Sequence, residues 1–177
     1  GSYSDTVSFT NTSNGVGNTT RTASLTVLST NADLSSLVPS QGALTPSFAT
    51  NTVSYSRAVA NPVSSITITP TAANSGSSIA VNGSPVTSGT TSNTIALLVG
   101  SNSITIAVTA QDGVTTKTYS VSVTRESAVE SWRQTWYGSS GVTGIAADDA
   151  DPFHTGIPNL LVLAFLGPSQ DPATARI

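Results

Sequence analysis

The side chains able to do chemistry gather in residues 149–161, DADPFHTGIPNLL. Asp151 is followed five residues later by Gly156, and Ile-Pro-Asn-Leu-Leu then opens a helical pattern. That is the outline of a calcium loop, in which twelve positions supply oxygens at 1, 3, 5, 7, 9 and 12 around a glycine at 6. With Gly156 at position 6, Asp151 stands at 1, Thr155 at 5 and Asn159 at 9, and the carbonyl of Ile157 serves at 7. Position 3 is Phe153, which has no side-chain oxygen, and position 12 is Val162, where a bidentate carboxylate is needed. Starting instead at Asp149 puts His154, not glycine, at the sharp turn. Calcium takes about six to eight oxygens, and its affinity rises with ligand charge. A single well-placed carboxylate is too little. The stretch reads as a calcium-loop scaffold that has lost its metal chemistry. Asp151, Thr155 and Asn159 are its vestigial ligands, and no cofactor is required. Asp148 and Asp149 lie outside the loop and would help only in a different geometry.

Other chemistry is thin. His154 is the only histidine. With Asp151 and a serine it makes a Ser-His-Asp set on paper, but serine is so frequent here that one is always near. A general base also needs an orienting partner and a pocket. Glu126 and Glu130 fall four apart in a helix-compatible linker and read as a solvated face, not a glycosidase pair. The glycine-rich NGVGN precedes no helix, so it is no phosphate loop. Without cysteine there is no reactive thiol, disulfide or thiolate metal site. An enzyme is not expected. Sugar binding wants an exposed aromatic platform. Tyr55 and Tyr119 fall on alternating inward faces, and the better candidates are Trp132, Trp136 and Tyr137. Trp132 and Trp136 are four apart and would share a helical face. The competing reading is that they anchor the C-terminal segment.

The elements that hold these residues are mostly strands. Only 8% of the 177 residues are charged and the net charge is −3, while Ser, Thr, Asn, Gly and Val dominate. Six scattered basic residues cannot build a phosphate-tracking patch, which excludes nucleic acid and an anionic lipid surface as partners. The longest apolar run, 160–166, is far shorter than the roughly 20 residues of a membrane span. No signal peptide is visible and the first residue is glycine, so the chain reads as a soluble internal piece or processed product.

Residues 1–30 alternate twice, with Val7 and Phe9, then Ala23, Leu25 and Val27, around NGVGN. This predicts a hairpin, the last two strands of a truncated immunoglobulin-like domain. From 32 to 125 the alternation recurs over about seven strands. Val53, Tyr55 and Val59 share a face with Arg57, which implies a bulge, strand end or edge there. Inward residues follow at Ile66 and Ile68, Ile79 and Val81, then Ile95, Leu97 and Val99. They continue at Ile104, Ile106 and Val108, then Tyr119, Val121 and Val123. Asn82-Gly83 and Asp112-Gly113 mark turns. Short alternating strands with Ser and Thr outward predict an all-β, seven-stranded antiparallel sandwich. Residues 126–177 form a short helical segment, with Pro158 near a first helical turn and Gly167-Pro168 as a stop.

Two resemblances attach to these residues. Leu34, Leu37, Gly42, Leu44, Pro46, Phe48 and Tyr55, with the closing VGSNSITIAVTAQDGVTTKTYSVSVTR, resemble the bacterial cadherin-like β-sandwich domain over residues 32–125. The resemblance implies an immunoglobulin-like sandwich in secreted or cell-surface bacterial proteins. There it stands beside fibronectin-type, S-layer and glycoside-hydrolase modules, an association that suggests carbohydrate binding. Trp132 to Gly167 resembles a C-terminal region of Verrucomicrobia-type secreted proteins, similar to half a dockerin or a thrombospondin type-3 repeat. The calcium motifs of animal cadherin tandems, such as DRE or DxNDN, are absent.

The expectation is therefore a non-catalytic extracellular module, a spacer or adhesion element of a larger bacterial secreted or cell-surface protein. Its partners would be neighbouring domains of the same polypeptide, and a polysaccharide or surface protein. The alternatives are a carbohydrate-binding accessory module of a secreted enzyme and a calcium-dependent docking segment.

Overall fold

The computed structural model describes residues 2–17, 19–152, 158–166 and 171–174. The N-terminal hairpin forms as the alternation predicts. β1 (Ser2–Phe9) and β2 (Thr19–Thr26) pair antiparallel, from Ser2 opposite Thr26 to Phe9 opposite Thr19. Asn11 organises the turn: its amide donates to Asn14 Oδ1 (2.8 Å) and to the Val16 carbonyl (3.0 Å). Tyr3, Val7, Phe9 and Leu25 share one face of the ribbon, and all four are exposed.

The sandwich follows. Its strands are β3 (Leu34–Pro39), β4 (Ser54–Val59), β5 (Ser65–Ile66), β6 (Ile68–Ala72), β7 (Ser78–Val81), β8 (Ser84–Val86), β9 (Ile95–Ala96), β10 (Gly100–Thr109) and β11 (Thr116–Arg125). One sheet runs β4-β11-β10-β7-β8, and the pairs β3-β6 and β5-β9 build the other layer. The fold is the all-β sandwich the alternation implied. About seven strands were expected, and the same sequence divides into nine segments because the ladder breaks for single residues or short turns. β5 and β6, for example, are one run interrupted at Thr67. One pair, β4 with β11, is parallel, Ser54 opposite Ser120 through Val59 opposite Arg125. The whole intervening chain serves as its crossover.

Alternation placed the core well. Ile104, Ile106, Val108, Tyr119, Val121 and Val123 are fully buried, as are Leu34 and Ile68. Burying each such aliphatic side chain contributes about 1.5–3 kcal/mol before conformational entropy is set against it. Phe48 stacks on the buried Tyr55 at 6.0 Å between ring centroids, so neither is a sugar platform. Two inward assignments fail. Val99 is 55% exposed because the chain turns after Leu97, with Asn102 Oδ1 accepting the Leu98 amide. Val53 is 39% exposed because it precedes β4 rather than joining it. Arg57 is tolerated because β4 is the last strand of its sheet. Its Nε donates to the Gln41 carbonyl at 3.0 Å and its guanidinium fills the space above Gly42.

Both turns read from the sequence are present. Asn82 (φ 47°) and Gly83 (φ 78°) take left-handed conformations between β7 and β8, the two-residue turn that matches strand twist. Between β10 and β11 the Asp112 carboxylate accepts the amides of Val114 and Thr115 and the Thr115 hydroxyl. These bonds hold its pKa below the ordinary carboxylate value.

The chain enters and leaves this sandwich at opposite poles. At the N-terminal pole the Ser29 amide donates to Gln111 Oε1 and the Asp112 amide to the Ser29 carbonyl. Asp33 nearby pairs with Lys117 at 2.6 Å. From that turn β11 runs ten residues to Arg125 at the other pole, about 30 Å at strand rise. There Arg125 donates to the carbonyls of Asn61 and Leu97, both at 2.9 Å.

Candidate functional site

The C-terminal segment is a small helical unit with its own apolar cluster. Helix α1 (Ala128–Tyr137) starts two residues after β11. Ser127 caps it: its hydroxyl accepts the Glu130 amide, and Glu130 Oε2 accepts the Ser127 amide at 2.7 Å. Those bonds lower the Glu130 pKa, which assigns this glutamate a capping role rather than a merely solvated one. Glu126 is likewise used, accepting the Ser131 hydroxyl at 2.9 Å. Gly138 ends the helix in the left-handed conformation (φ 69°).

The expected aromatic platform is largely interior. Trp132 is 2% exposed and packs on Val162 of helix α2 (Asn159–Leu166), with Tyr137 edge-on at 5.4 Å. Trp136 and Tyr137 are half-buried against the same cluster. The indole N–H groups of Trp132 and Trp136 are buried without a hydrogen-bond partner among the described residues. Trp132 is thus packed as an anchor and not presented as an exposed platform. α2 docks through Val162 and Leu163 onto α1, the burial its apolar sequence demands.

The calcium-loop residues are only partly described. Thr155, with Phe153, His154, Gly156 and Ile157, lies outside the described residues. Asn159, expected at position 9, is 2% exposed and acts as a bracket. Its amide donates to the carbonyls of Ile145 and Ala147, both at 2.8 Å. Its Oδ1 accepts the Tyr137 hydroxyl, and its backbone amide donates to Ala150. Burial raises the Tyr137 pKa, and the carboxylates of Asp171 and Asp151 raise it further, so the phenol stays a neutral donor. Asp151 is half-buried, Asp149 is exposed, and Asp148 pairs with the buried Arg133. Val162, where the bidentate carboxylate would stand, is part of the Trp132 cluster. No three His, Cys, Asp or Glu residues among the described ones come together as a metal-holding group. The geometry lets this region fasten two helices and a connecting turn. The side chain of Asn159, the expected ligand at position 9, is already committed at both its amide nitrogen and its oxygen.

The sequence reading missed Asn61. Its backbone amide donates to Ser131 Oγ at 2.6 Å, its side chain to the Glu126 carbonyl at 2.9 Å, and its carbonyl accepts from Arg125. Only an Asn-Pro turn signal marked the position, and such signals are frequent in this chain.

Comparison with known proteins agrees with the sandwich. A family model described as "Cadherin-like beta sandwich domain" matches residues 25–126. A protein of Evansella cellulosilytica, named "Putative membrane protein", is 43% identical over 98 residues, covering 55% of this chain and 15% of that relative. The chain therefore matches only a small part of the relative's length. Among the described residues no helix is long and apolar enough to cross a membrane.

Proposed function

The chain belongs to the cadherin-like β-sandwich family, whose domains are typically non-catalytic, and on that premise we propose that it serves as an extracellular spacer or adhesion module in a larger bacterial secreted or cell-surface protein. The observation that carries the reading is the placing of the two chain connections at opposite poles of the sandwich, each hydrogen-bonded into it. A unit joined this way adds its length to a polypeptide and holds its neighbours apart. Residues 1–30 then read as the last strands of an immunoglobulin-like neighbour. Residues 126–177 read as a dockerin- or thrombospondin-type-3-like scaffold, of the Verrucomicrobia kind, that has exchanged calcium ligands for packing. Asp151, Thr155 and Asn159 are the remnants of those ligands.

The carbohydrate-binding reading has less behind it. With Trp132 in the helical cluster, Trp136 and Tyr137 are the platform residues left with partial exposure. Screening the chain on immobilised plant and microbial polysaccharides separates the two. A spacer gives no retention above background. Retention that Trp136→Ala and Tyr137→Ala abolish would replace the spacer reading with the accessory-module reading.

A further inference from the structure

The sandwich and the helical unit have separate apolar cores, and what joins them is polar. The Trp132–Val162 cluster shares no residue with the sandwich core. A cleft of about 260 Å³ lies between Ala60–Pro62 and the α1 residues Ala128, Trp132 and Thr135, so the helix is not pressed flat onto the strand ends. Across that cleft runs a closed set of bonds. The Asn61 amide donates to Ser131 Oγ (2.6 Å), and Ser131 Oγ donates to Glu126 Oε2 (2.9 Å). The Asn61 side chain donates to the Glu126 carbonyl (2.9 Å), and Arg125 Nε to the Asn61 carbonyl (2.9 Å). The Glu126 amide continues the β4–β11 ladder by donating to Val59 (2.9 Å). With Ser127 capping α1, every residue from the end of β11 to the helix is hydrogen-bonded.

We propose that Asn61 and Ser131 form a polar lock that makes the C-terminal helical unit a rigid continuation of the sandwich, so that the module passes on a fixed direction as well as a length. Ser131 is the pivotal side chain because one hydroxyl accepts from the β4–β5 loop and donates to the end of β11 at once. The two apolar clusters do not merge across the cleft, which leaves the polar bonds to define the angle. Losing the side-chain bonds of Asn61 and Ser131 would leave the Glu126 amide on Val59 as the tie before the Ser127 cap, and the polar groups freed at the rim of the cleft can turn to water. Passing on a direction rests on the spacer reading, whereas the rigidity of the joint stands or falls by itself.

The chain has no cysteine, so spin labels can be placed at will. Val114→Cys, in the exposed β10–β11 turn, and Gln134→Cys, on the exposed side of α1, put labels at the far pole and on the helix. Pulsed dipolar spectroscopy on the full chain should give one narrow distance distribution. Adding Asn61→Ala with Ser131→Ala should widen it by about twofold or more as the joint begins to swing. Dispersed amide spectra of both units would show that each remains folded. Should the double variant unfold, Ser131→Ala alone serves. It removes two of the bonds and places a better helix former in α1. A distribution that stays as narrow without the lock would overturn the proposal, and so would a native distribution as wide as the variant's.

Discussion

Replacing Tyr119 with phenylalanine removes one oxygen from the centre of the sandwich. That oxygen accepts the amide of Leu34 at 3.0 Å and donates to the Thr50 carbonyl at 3.2 Å. Leu34 and Tyr119 are both fully buried, so no water can take the vacated position beside the Leu34 amide. Thr50 keeps a partner, because Lys117 Nζ donates to the same carbonyl at 3.0 Å. The net loss is one orphaned buried donor, worth about 1–3 kcal/mol. For a cooperative unit of this size, each kcal/mol lowers Tm by about 4–8 °C. Tyr55→Phe is the control. Its hydroxyl shares its proton between the carbonyls of Thr52 and Ala49, at 2.7 and 2.9 Å, and accepts the Ala49 amide at 3.3 Å, but that loop borders solvent and water can substitute. Its cost should be about 1 kcal/mol or less. Urea titration followed by circular dichroism gives both values. The reasoning is refuted if Tyr119→Phe lies within about 0.5 kcal/mol of the native chain, or if Tyr55→Phe is the more damaging of the two.

Three further outcomes are expected. Ser127→Ala breaks the reciprocal cap of α1 and should cost the helical unit about 1 kcal/mol, seen as faster amide exchange in Glu130 and its neighbours with the sandwich amides unchanged. Asp112 and Glu130 both hold their protons more weakly when folded, so their contribution to stability is complete above the ordinary carboxylate range and lost as pH falls through their lowered values. A series of melts on acidification should show a decline that Asp112→Asn reduces. Thermal melts in excess calcium and in chelator should coincide, whereas binding at a hundredfold excess over Kd would add about 2.7 kcal/mol and make Asp148, Asp149 and Asp151 a site after all.

The sandwich was legible because its signal is local and repeated. In β10 and β11 alternate residues face the core, and a two-residue period survives any uncertainty about which strand lies beside which. The same rule failed at Val99, where a turn ended the alternation one residue pair early, and it could not reveal that β4 and β11 run parallel. The hairpin is the complementary case. Its apolar face was correctly read from the residues, but a pattern states which side chains share a face and not whether anything covers them.

The sequence by itself determined which positions alternate, where Asn82-Gly83 and Asp112-Gly113 turn the chain, and that Val162 brings no carboxylate to position 12 of the loop. Each of these follows from residue type and near neighbours. The tertiary structure decided what long-range partners decide. Trp132 resembled a sugar platform until α2 covered it, because exposure depends on segments 30 residues away. Asn159 resembled a metal ligand until Tyr137 and two carbonyls occupied its amide. Asn61 resembled an ordinary turn residue until folding brought Ser131, 70 positions along the chain, within hydrogen-bond distance of its backbone. A polar side chain has the same chemistry in each setting, and only the fold chooses its partner.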